Sequence, residues 1–258
     1  MIPFVKYHGT GNDFILIDDR KSKYDFKKED IRNFCDRHFG IGADGLILLR
    51  NSNKYDFEML YYNSDGLEGS MCGNGGRCVT AFAHTLGMID TKAKFSAFDG
   101  VHESQIISVR PYVIKLHMND VKTIEKNPDF VFLNTGSPHY VCFKDNVNDI
   151  DILKEGREIR YNERFKKEGT NVNFVNVSDS GLFVRTYERG VEDETLSCGT
   201  GVTAAVLAAS ASGKNVKSGC KVQTKGGMLS VFFKSAGNGF SDIWLEGNAE
   251  EVFKGEIN

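Results

Sequence analysis

The chain has 258 residues, a formal net charge of −3 and a pI near 6.1, which gives no electrostatic basis for binding nucleic acid or an anionic membrane. Its composition, 40% hydrophobic and 26% charged, is typical of a soluble protein with one large domain or two ordinary ones. The longest apolar run, residues 202–209, is too short to cross a bilayer, and residues 1–14 lack the basic and apolar segments of a secretory signal, so we expect a cytoplasmic protein.

Short apolar runs bounded by turn residues predict many strands and a few helices. The predicted strands are at residues 14–18, 46–49, 57–62, 94–98, 104–110, 113–118, 131–133, 140–143, 174–177, 182–187, 221–224, 229–233 and 243–245. The predicted helices are at residues 28–37, 78–86 and 202–209, the last of them apolar almost all round and therefore expected to be buried on all sides.

One pattern occurs twice in the chain. The segment Cys72-Gly73-Asn74-Gly75 returns about half a chain length later as Cys198-Gly199-Thr200-Gly201. Each copy follows a strand-like run and a polar loop, and each opens a helix. The repeat predicts an α+β fold of two pseudo-symmetric domains, each a mostly antiparallel sheet wrapped around a central helix, with the active site in the interdomain cleft. We expect residues 1–118 with about 249–258 to carry Cys72, and residues 119–248 to carry Cys198.

The six cysteines are scattered, and their spacing fits neither a disulfide framework nor a zinc site. No Cys-x-x-Cys pair occurs among them. Cys35, Cys78, Cys142 and Cys220 are interpreted as small buried hydrophobic residues. We therefore expect no bound metal, and any cysteine chemistry to be that of thiols at the two repeated motifs.

The repeated motifs suit one particular reaction. A helix N-terminus attracts anions and favours the thiolate form of a nearby cysteine. Two such motifs would hold one carboxylate, with a thiol on either face of the adjacent carbon. One sulfur can then remove an α-proton and the other return one, while the helix ends stabilise the developing charge without metal or pyridoxal cofactor. The alternative reading is a structural glycine turn with an incidental cysteine.

The motifs resemble those of the diaminopimelate epimerase family, and the match covers nearly the whole chain. The resemblance rests on residues 6–14 (KYHGTGNDF), 36–45 (DRHFGIGADG), 62–66 (YNSDG), 71–78 (MCGNGGRC), 187–190 (YERG) and 195–201 (TLSCGTG). It implies a pseudo-symmetric two-domain fold and the interconversion of L,L- and meso-diaminopimelate, a step in lysine biosynthesis, without any cofactor. It also implies a homodimer.

The resemblance further implies roles for individual residues. Cys72 and Cys198 would be the two catalytic bases, and His139 and Glu188 would assist them, an imidazole being able to tune the protonation of nearby thiols. The substrate-binding residues would be Gly73, Asn74, Gly199 and Thr200 for the reacting carboxylate, Glu188 for the reacting ammonium, and Asn12, Asn63, Asn171 and Arg189 for the distal amino-acid end. Arg189 can bind a carboxylate through two parallel hydrogen bonds, and amide side chains can both donate and accept.

One position departs from the family pattern. Family members often carry Gly-Asn-Pro-His where this chain has Gly136-Ser137-Pro138-His139, and that asparagine helps to recognise the distal end of the substrate. Three other functions stay open: a related cofactor-independent racemase of a histidine- or proline-like amino acid, a catalytically silent binding module of the same fold, and a thiol–disulfide redox protein. The lack of a Cys-x-x-Cys motif counts against the last.

Overall fold

The computed structural model describes residues 1–69 and 72–257; Met71, which belongs to one of the family motifs, lies outside the described residues. The helices are α1 (Lys28–Cys35), α2 (Gly73–Thr85), α3 (Ile152–Arg160) and α4 (Gly199–Ala211). The strands are β1 (Ile2–Gly9), β2 (Asn12–Asp18), β3 (Gly45–Arg50), β4 (Phe57–Asn63), β5 (Lys92–Ala97), β6 (Gly100–Val109), β7 (Tyr112–Met118), β8 (Ile124–Lys126), β9 (Val131–Asn134), β10 (Pro138–Phe143), β11 (Asn171–Ser178), β12 (Gly181–Glu188), β13 (Asp193–Thr195), β14 (Cys220–Thr224), β15 (Gly227–Ala236) and β16 (Gly239–Ile257). Within the described ranges, no helix is long and apolar enough to span a membrane.

The chain forms two compact units, which we call unit 1 (residues 1–116 and 247–258) and unit 2 (residues 117–246). In unit 1 the strands follow the order β1 to β7, and the last part of β16 pairs antiparallel with β1 so that Ile257 lies opposite Ile2. In unit 2 the order is β15-β14-β12-β11-β10-β9-β8, with β13 also pairing with β12. The two-domain α+β fold predicted from the repeat is confirmed.

Each unit contains the same two crossovers between parallel strands. In unit 1, α1 connects the parallel strands β2 and β3, and α2 connects β4 and β5. In unit 2, α3 connects β10 and β11, and α4 connects β12 and β14. Helix α3 was not predicted from the sequence. The sequence feature that indicates α3 is its N-cap Asp151, whose side chain accepts a hydrogen bond from the Lys154 backbone N–H. Few apolar residues follow this cap.

The central helices α2 and α4 form the core of their units. Helix α2 packs against β1, β2, β3, β4 and β6, and α4 against β9, β10, β11, β12, β14 and β15. Residues 201–209 of α4 are all buried, which confirms the prediction made from its apolar sequence. The first turns are tightly packed: a Cβ on Gly75 would lie 3.3 Å from Ile47 Cδ1, and one on Gly201 would lie 2.4 Å from Asn173 Oδ1.

Candidate active site

Each motif cysteine is the N-cap residue of a central helix. Cys72 precedes α2 with φ −87°, and Cys198 precedes α4 with φ −112°, both in extended backbone. The Cys72 carbonyl accepts the Gly76 N–H at 2.7 Å, and the Cys198 carbonyl accepts the Val202 N–H at 2.9 Å. The N–H groups of a helix's first turn have no earlier carbonyl of that helix to bind, and the dipole is positive there. Each cysteine therefore adjoins a helix end suited to an anion.

A pair of equivalent tight turns lies beside these helix ends. Thr10-Gly11-Asn12 connects β1 to β2, and Thr135-Gly136-Ser137 connects β9 to β10. The central glycines have φ of 86° and 110°, in the left-handed region that favours glycine. Both segments belong to motifs that resemble those of the family, but their correspondence was not predicted. The shared Thr-Gly before a polar residue was the available signal.

In unit 1, the turn residue Asn12 contacts the cysteine directly. The Cys72 thiol donates to Asn12 Oδ1 at 3.4 Å, and Asn74 Nδ2 donates to the same oxygen at 3.2 Å. Asn12 Nδ2 donates to Asp44 Oδ2 at 2.6 Å. Because a carboxylate only accepts, Asp44 fixes the orientation of the Asn12 amide and turns its oxygen towards the sulfur. The structure thus brings the predicted residues Asn12 and Asn74 together with Cys72. Asp44, which had no predicted role, belongs to the same group.

Arg77, in the first part of α2, is fully buried. Its guanidinium donates to the Gly73 carbonyl at 3.1 Å, to Asn74 Oδ1 at 2.7 Å and to the Asn248 carbonyl at 3.3 Å. Burial lowers the pKa of Arg77. Sequence reasoning gave Arg77 no role, although it lies within the motif that follows Cys72.

Two other predicted residues end equivalent strands. Asn63 is the last residue of β4, and its Oδ1 accepts the Tyr61 hydroxyl at 2.9 Å. Glu188 is the last residue of β12, and its Oε2 accepts the Thr195 hydroxyl at 2.8 Å. Both residues therefore stand where a sheet strand leads into the loop before a motif cysteine.

In unit 2, a chain of hydrogen bonds connects four predicted residues through one further residue. The Cys198 sulfur lies 3.4 Å from Thr200 Oγ1, which lies 3.5 Å from Ser137 Oγ. The serine oxygen in turn lies 3.0 Å from His139 Nε2 and accepts Asn171 Nδ2 at 2.9 Å. Ser137, the position that departs from the family pattern, is therefore the residue at which these hydrogen bonds meet.

His139 is fully buried and uncharged. Burial lowers the pKa of His139 to about 3, and the positive charge of Arg189 acts in the same direction. Asn173 Nδ2 lies 3.1 Å from His139 Nδ1 and also donates to the Tyr140 carbonyl at 3.0 Å, while its Oδ1 accepts the Thr186 hydroxyl. These partners orient the Asn173 amide so that it donates to Nδ1. The imidazole proton is consequently on Nε2, facing Ser137.

Asn171 and Arg189 adjoin each other at the ends of β11 and β12. Asn171 Oδ1 accepts the Arg189 backbone N–H at 2.9 Å, and Asn171 Nδ2 also donates to the Pro138 carbonyl at 3.1 Å. The Arg189 side chain is exposed, and its Nη1 donates to the Glu168 carbonyl at 3.0 Å. The Asn171 amide is thus occupied by groups of its own unit. Binding of a distal substrate end by either residue stays a prediction.

The remaining cysteines differ in their surroundings. Cys35, Cys78 and Cys142 are buried, as predicted, and burial raises the pKa of Cys35 and of Cys142 to about 12 and that of Cys78 further still. The prediction was wrong for Cys220, which is half-buried at the start of β14, where burial also raises its pKa. Burial therefore holds these four thiols in the protonated form near neutral pH.

The two-domain fold places the chain in a class of proteins known from solved structures. Three solved structures share the fold. A phenazine biosynthesis protein of the PhzF family from Bacillus anthracis has a TM-score of 0.73 at 13% identity, covering 100% of this chain and 99% of that one. A probable proline racemase from Agrobacterium radiobacter has 0.71 at 15%, covering 100% and 93%, and a hydroxyproline epimerase from Agrobacterium vitis has 0.69 at 15%, covering 98% and 91%.

Sequence comparison identifies the family within this class. The model of the diaminopimelate epimerase family matches residues 4–124 and 131–250. The diaminopimelate epimerase of Flavobacterium psychrophilum is 49% identical over 98% of each chain, and that of Chlorobaculum tepidum is 42% identical over 96% of this chain and 98% of the relative. The chain belongs to the diaminopimelate epimerase family.

Proposed function

We propose that this protein interconverts L,L- and meso-diaminopimelate by proton transfer at one α-carbon, with Cys72 and Cys198 as the acid/base pair. The observation that carries the proposal is the equivalence of the two cysteines, each of which caps a buried central helix at its positive end. Family membership supports the choice of substrate, because both relatives compared above by sequence are diaminopimelate epimerases.

The mechanism follows from the chemistry of two thiols. One cysteine, as the thiolate, removes the α-proton and becomes a thiol. The other gives its proton to the opposite face of the carbon and becomes a thiolate, so no other acid or base is consumed. The first-turn N–H groups of Gly73, Asn74, Gly199 and Thr200 would bind the carboxylate on which negative charge develops. With the two protonation states exchanged, the same site catalyses the reverse reaction.

We assign the remaining residues by the charges of a substrate with two amino-acid ends. Glu188 would bind the reacting ammonium, since it is a carboxylate at the strand end that leads to Cys198. Arg189, whose guanidinium is exposed, would bind the distal carboxylate, assisted by Asn12, Asn63 and Asn171. His139 would assist as a neutral imidazole, which its burial supports.

The experiment is incubation of L,L-diaminopimelate with the reduced protein in D₂O, without pyridoxal phosphate or added metal. We expect the meso form with deuterium at one α-carbon. Proline and histidine serve as parallel substrates. Deuterium exchange into either of these, with none into diaminopimelate, would show that the protein is a racemase of another amino acid.

Substitution of the cysteines tests their roles. Cys72→Ser and Cys198→Ser should each nearly abolish epimerisation, while the thiol that remains still exchanges the α-proton from its own face. Cys220→Ser is the matched control and should retain activity, because that half-buried thiol caps no helix. Full epimerisation in either motif variant would rule out the two-cysteine mechanism.

We also propose that the protein works in the cytoplasm as a homodimer. The family resemblance supports the homodimer, and unit 1 exposes the apolar side chains of Val101, Ile107 and Val109 of β6 and Phe253 of β16. Light scattering coupled to gel filtration should give twice the mass of one 28.8 kDa chain, and the mass of a single chain would refute dimerisation.

A further inference from the structure

The two equivalent turns present opposite hydrogen-bonding groups to their cysteines. In unit 1, Asn12 offers an oxygen, because Asp44 holds its amide nitrogen. An acceptor beside the sulfur stabilises the protonated thiol of Cys72. In unit 2, the equivalent residue is Ser137, whose contact to Cys198 passes through Thr200.

The direction of the hydrogen bonds that connect these unit 2 residues follows from which groups have a proton to donate. His139 carries its proton on Nε2, because Asn173 donates to Nδ1, and therefore donates to Ser137 Oγ at 3.0 Å. Asn171 Nδ2 donates to the same oxygen at 2.9 Å, and it is oriented by the Pro138 carbonyl. A hydroxyl oxygen has two acceptor sites and one proton. With both acceptor sites filled, Ser137 has its proton left to donate.

Thr200 connects the Ser137 hydroxyl to the Cys198 sulfur. The Ser137 hydroxyl lies 3.5 Å from Thr200 Oγ1, so it donates there, and the Thr200 backbone is held by the Thr135 hydroxyl at 2.9 Å on its carbonyl. The Thr200 hydroxyl lies 3.4 Å from the Cys198 sulfur, and with Ser137 donating to its oxygen it keeps its own proton available for that sulfur when Cys198 is a thiolate. A donor beside the sulfur stabilises the thiolate of Cys198.

We propose that Ser137 is a positioning residue, which acts through Thr200 to direct a hydroxyl proton at the Cys198 sulfur and so favours the thiolate there. This role differs from recognition of the distal substrate end, which the family's asparagine performs at this position. The inference rests on the proposed function only in taking Cys198 as one of the two bases.

Charged groups near the two sulfurs also influence their protonation. Asp44 and the buried Arg77 lie around Cys72. Before the Cys198 loop, Glu188 ends β12 and Arg189 follows it, and His139 is neutral. These groups are the same in the wild type and in variants of the turn residues. A ratio of reaction rates for one cysteine, variant against wild type, therefore isolates the contribution of the turn residue.

The test is the alkylation of each cysteine by iodoacetamide, followed at several pH values by peptide mass spectrometry without substrate. In Ser137→Ala the Thr200 hydroxyl is free to turn away from the sulfur, so alkylation of Cys198 at pH 7 should slow by up to about tenfold, the typical effect of losing one hydrogen bond to a charged group. The acidic limb of its pH profile should move to higher pH. Cys72 should react as in the wild type. Ser137→Thr, which keeps the hydroxyl, should restore most of the Cys198 rate.

Asn12→Ala is the matched control in unit 1 and should not slow the alkylation of Cys72, because it removes an acceptor. The proposal is overturned if Ser137→Ala changes the Cys198 rate by less than twofold. It is also overturned if both cysteines slow equally, or if Asn12→Ala slows Cys72 as Ser137→Ala slows Cys198. No substrate is present, so failure here is distinct from failure to epimerise diaminopimelate.

Discussion

Replacing Gly201 with alanine should destabilise unit 2, whereas the same replacement at the equivalent Gly75 should leave the stability of unit 1 nearly unchanged. Both glycines are the third residues of their helices and the fourth of their motifs. Alanine at either site gains about 1 kcal/mol of helix propensity over glycine. The two sites differ in what the new methyl group would meet.

At Gly201 the added Cβ would lie 2.4 Å from Asn173 Oδ1, and Asn173 cannot move freely. Its fully buried amide bonds to Thr186, Tyr140 and His139. Overpacking costs about 1–3 kcal/mol, and each buried hydrogen bond lost costs about 1 kcal/mol more. After subtraction of the helix gain, we expect Gly201→Ala to lower the free energy of unfolding by about 2–4 kcal/mol.

At Gly75 the nearest atoms would be Ile47 Cδ1 and Met59 Cε, both at 3.3 Å. These are the ends of apolar side chains, and a methionine adapts readily to a changed shape. A shift of a few tenths of an ångström relieves the contact. The free-energy cost of that shift is therefore close to the gain in helix propensity. We expect Gly75→Ala to lie within about 1 kcal/mol of the wild type.

Urea unfolding followed by two signals separates the units. Trp244 is the chain's single tryptophan and belongs to unit 2, so its fluorescence reports on that unit, while circular dichroism reports on both. Gly201→Ala should lower the midpoint of the fluorescence transition, and Gly75→Ala should leave both transitions in place. Equal midpoints for the two variants would refute the argument from Asn173.

Two further predictions concern buried polar groups. The folded-state pKa of His139, about 3, is below its ordinary value of about 6.5, because folding favours the neutral form. The contribution of His139 to the free energy of unfolding is therefore fully present above pH 6.5. It falls towards pH 3 by up to about 1.4 kcal/mol per pH unit. His139→Gln should therefore flatten the decline in urea midpoint between pH 7 and pH 4, and an unchanged slope would contradict the assigned burial. Arg77→Met should lower the free energy of unfolding by about 3 kcal/mol, because it removes the guanidinium from the buried Gly73 and Asn74 oxygens and leaves Asn74 Oδ1 with the Thr10 hydroxyl at 3.3 Å. Arg77→Lys should be intermediate. Equal stability of the Met and Lys variants in thermal unfolding would show that the guanidinium hydrogen bonds contribute nothing.

Much of the fold was predictable because its signals are local or repeated. The two repeated motifs and the apolar run that follows Cys198 predict the central helices, although these begin at Gly73 and Gly199 and not at residues 78 and 202 as predicted. The duplication then gives the architecture, since equal segments fold alike. Helix α3 escaped prediction because it is mostly polar and is recognisable chiefly by its cap at Asp151.

The polar chains around the cysteines could be predicted only in part. Asn12, His139 and Asn171 were found through family motifs, but the direction of each hydrogen bond depends on long-range partners such as Asp44 and Asn173. No sequence pattern shows which end of an amide faces a sulfur. The role of Ser137 as a junction likewise appears only when β9, β10 and β11 are paired in their registers.

The pairing of β1 with the last part of β16 bears on how the chain folds as it is synthesised. Residues 2–8 leave the ribosome before residues 9–249, whereas their neighbours at 250–257 leave it after them. Unit 2 is one continuous stretch and has emerged before unit 1 has its final strand. Domains generally fold as units during synthesis, N-terminal ones first. In this chain the half that is translated first is the half that is completed second.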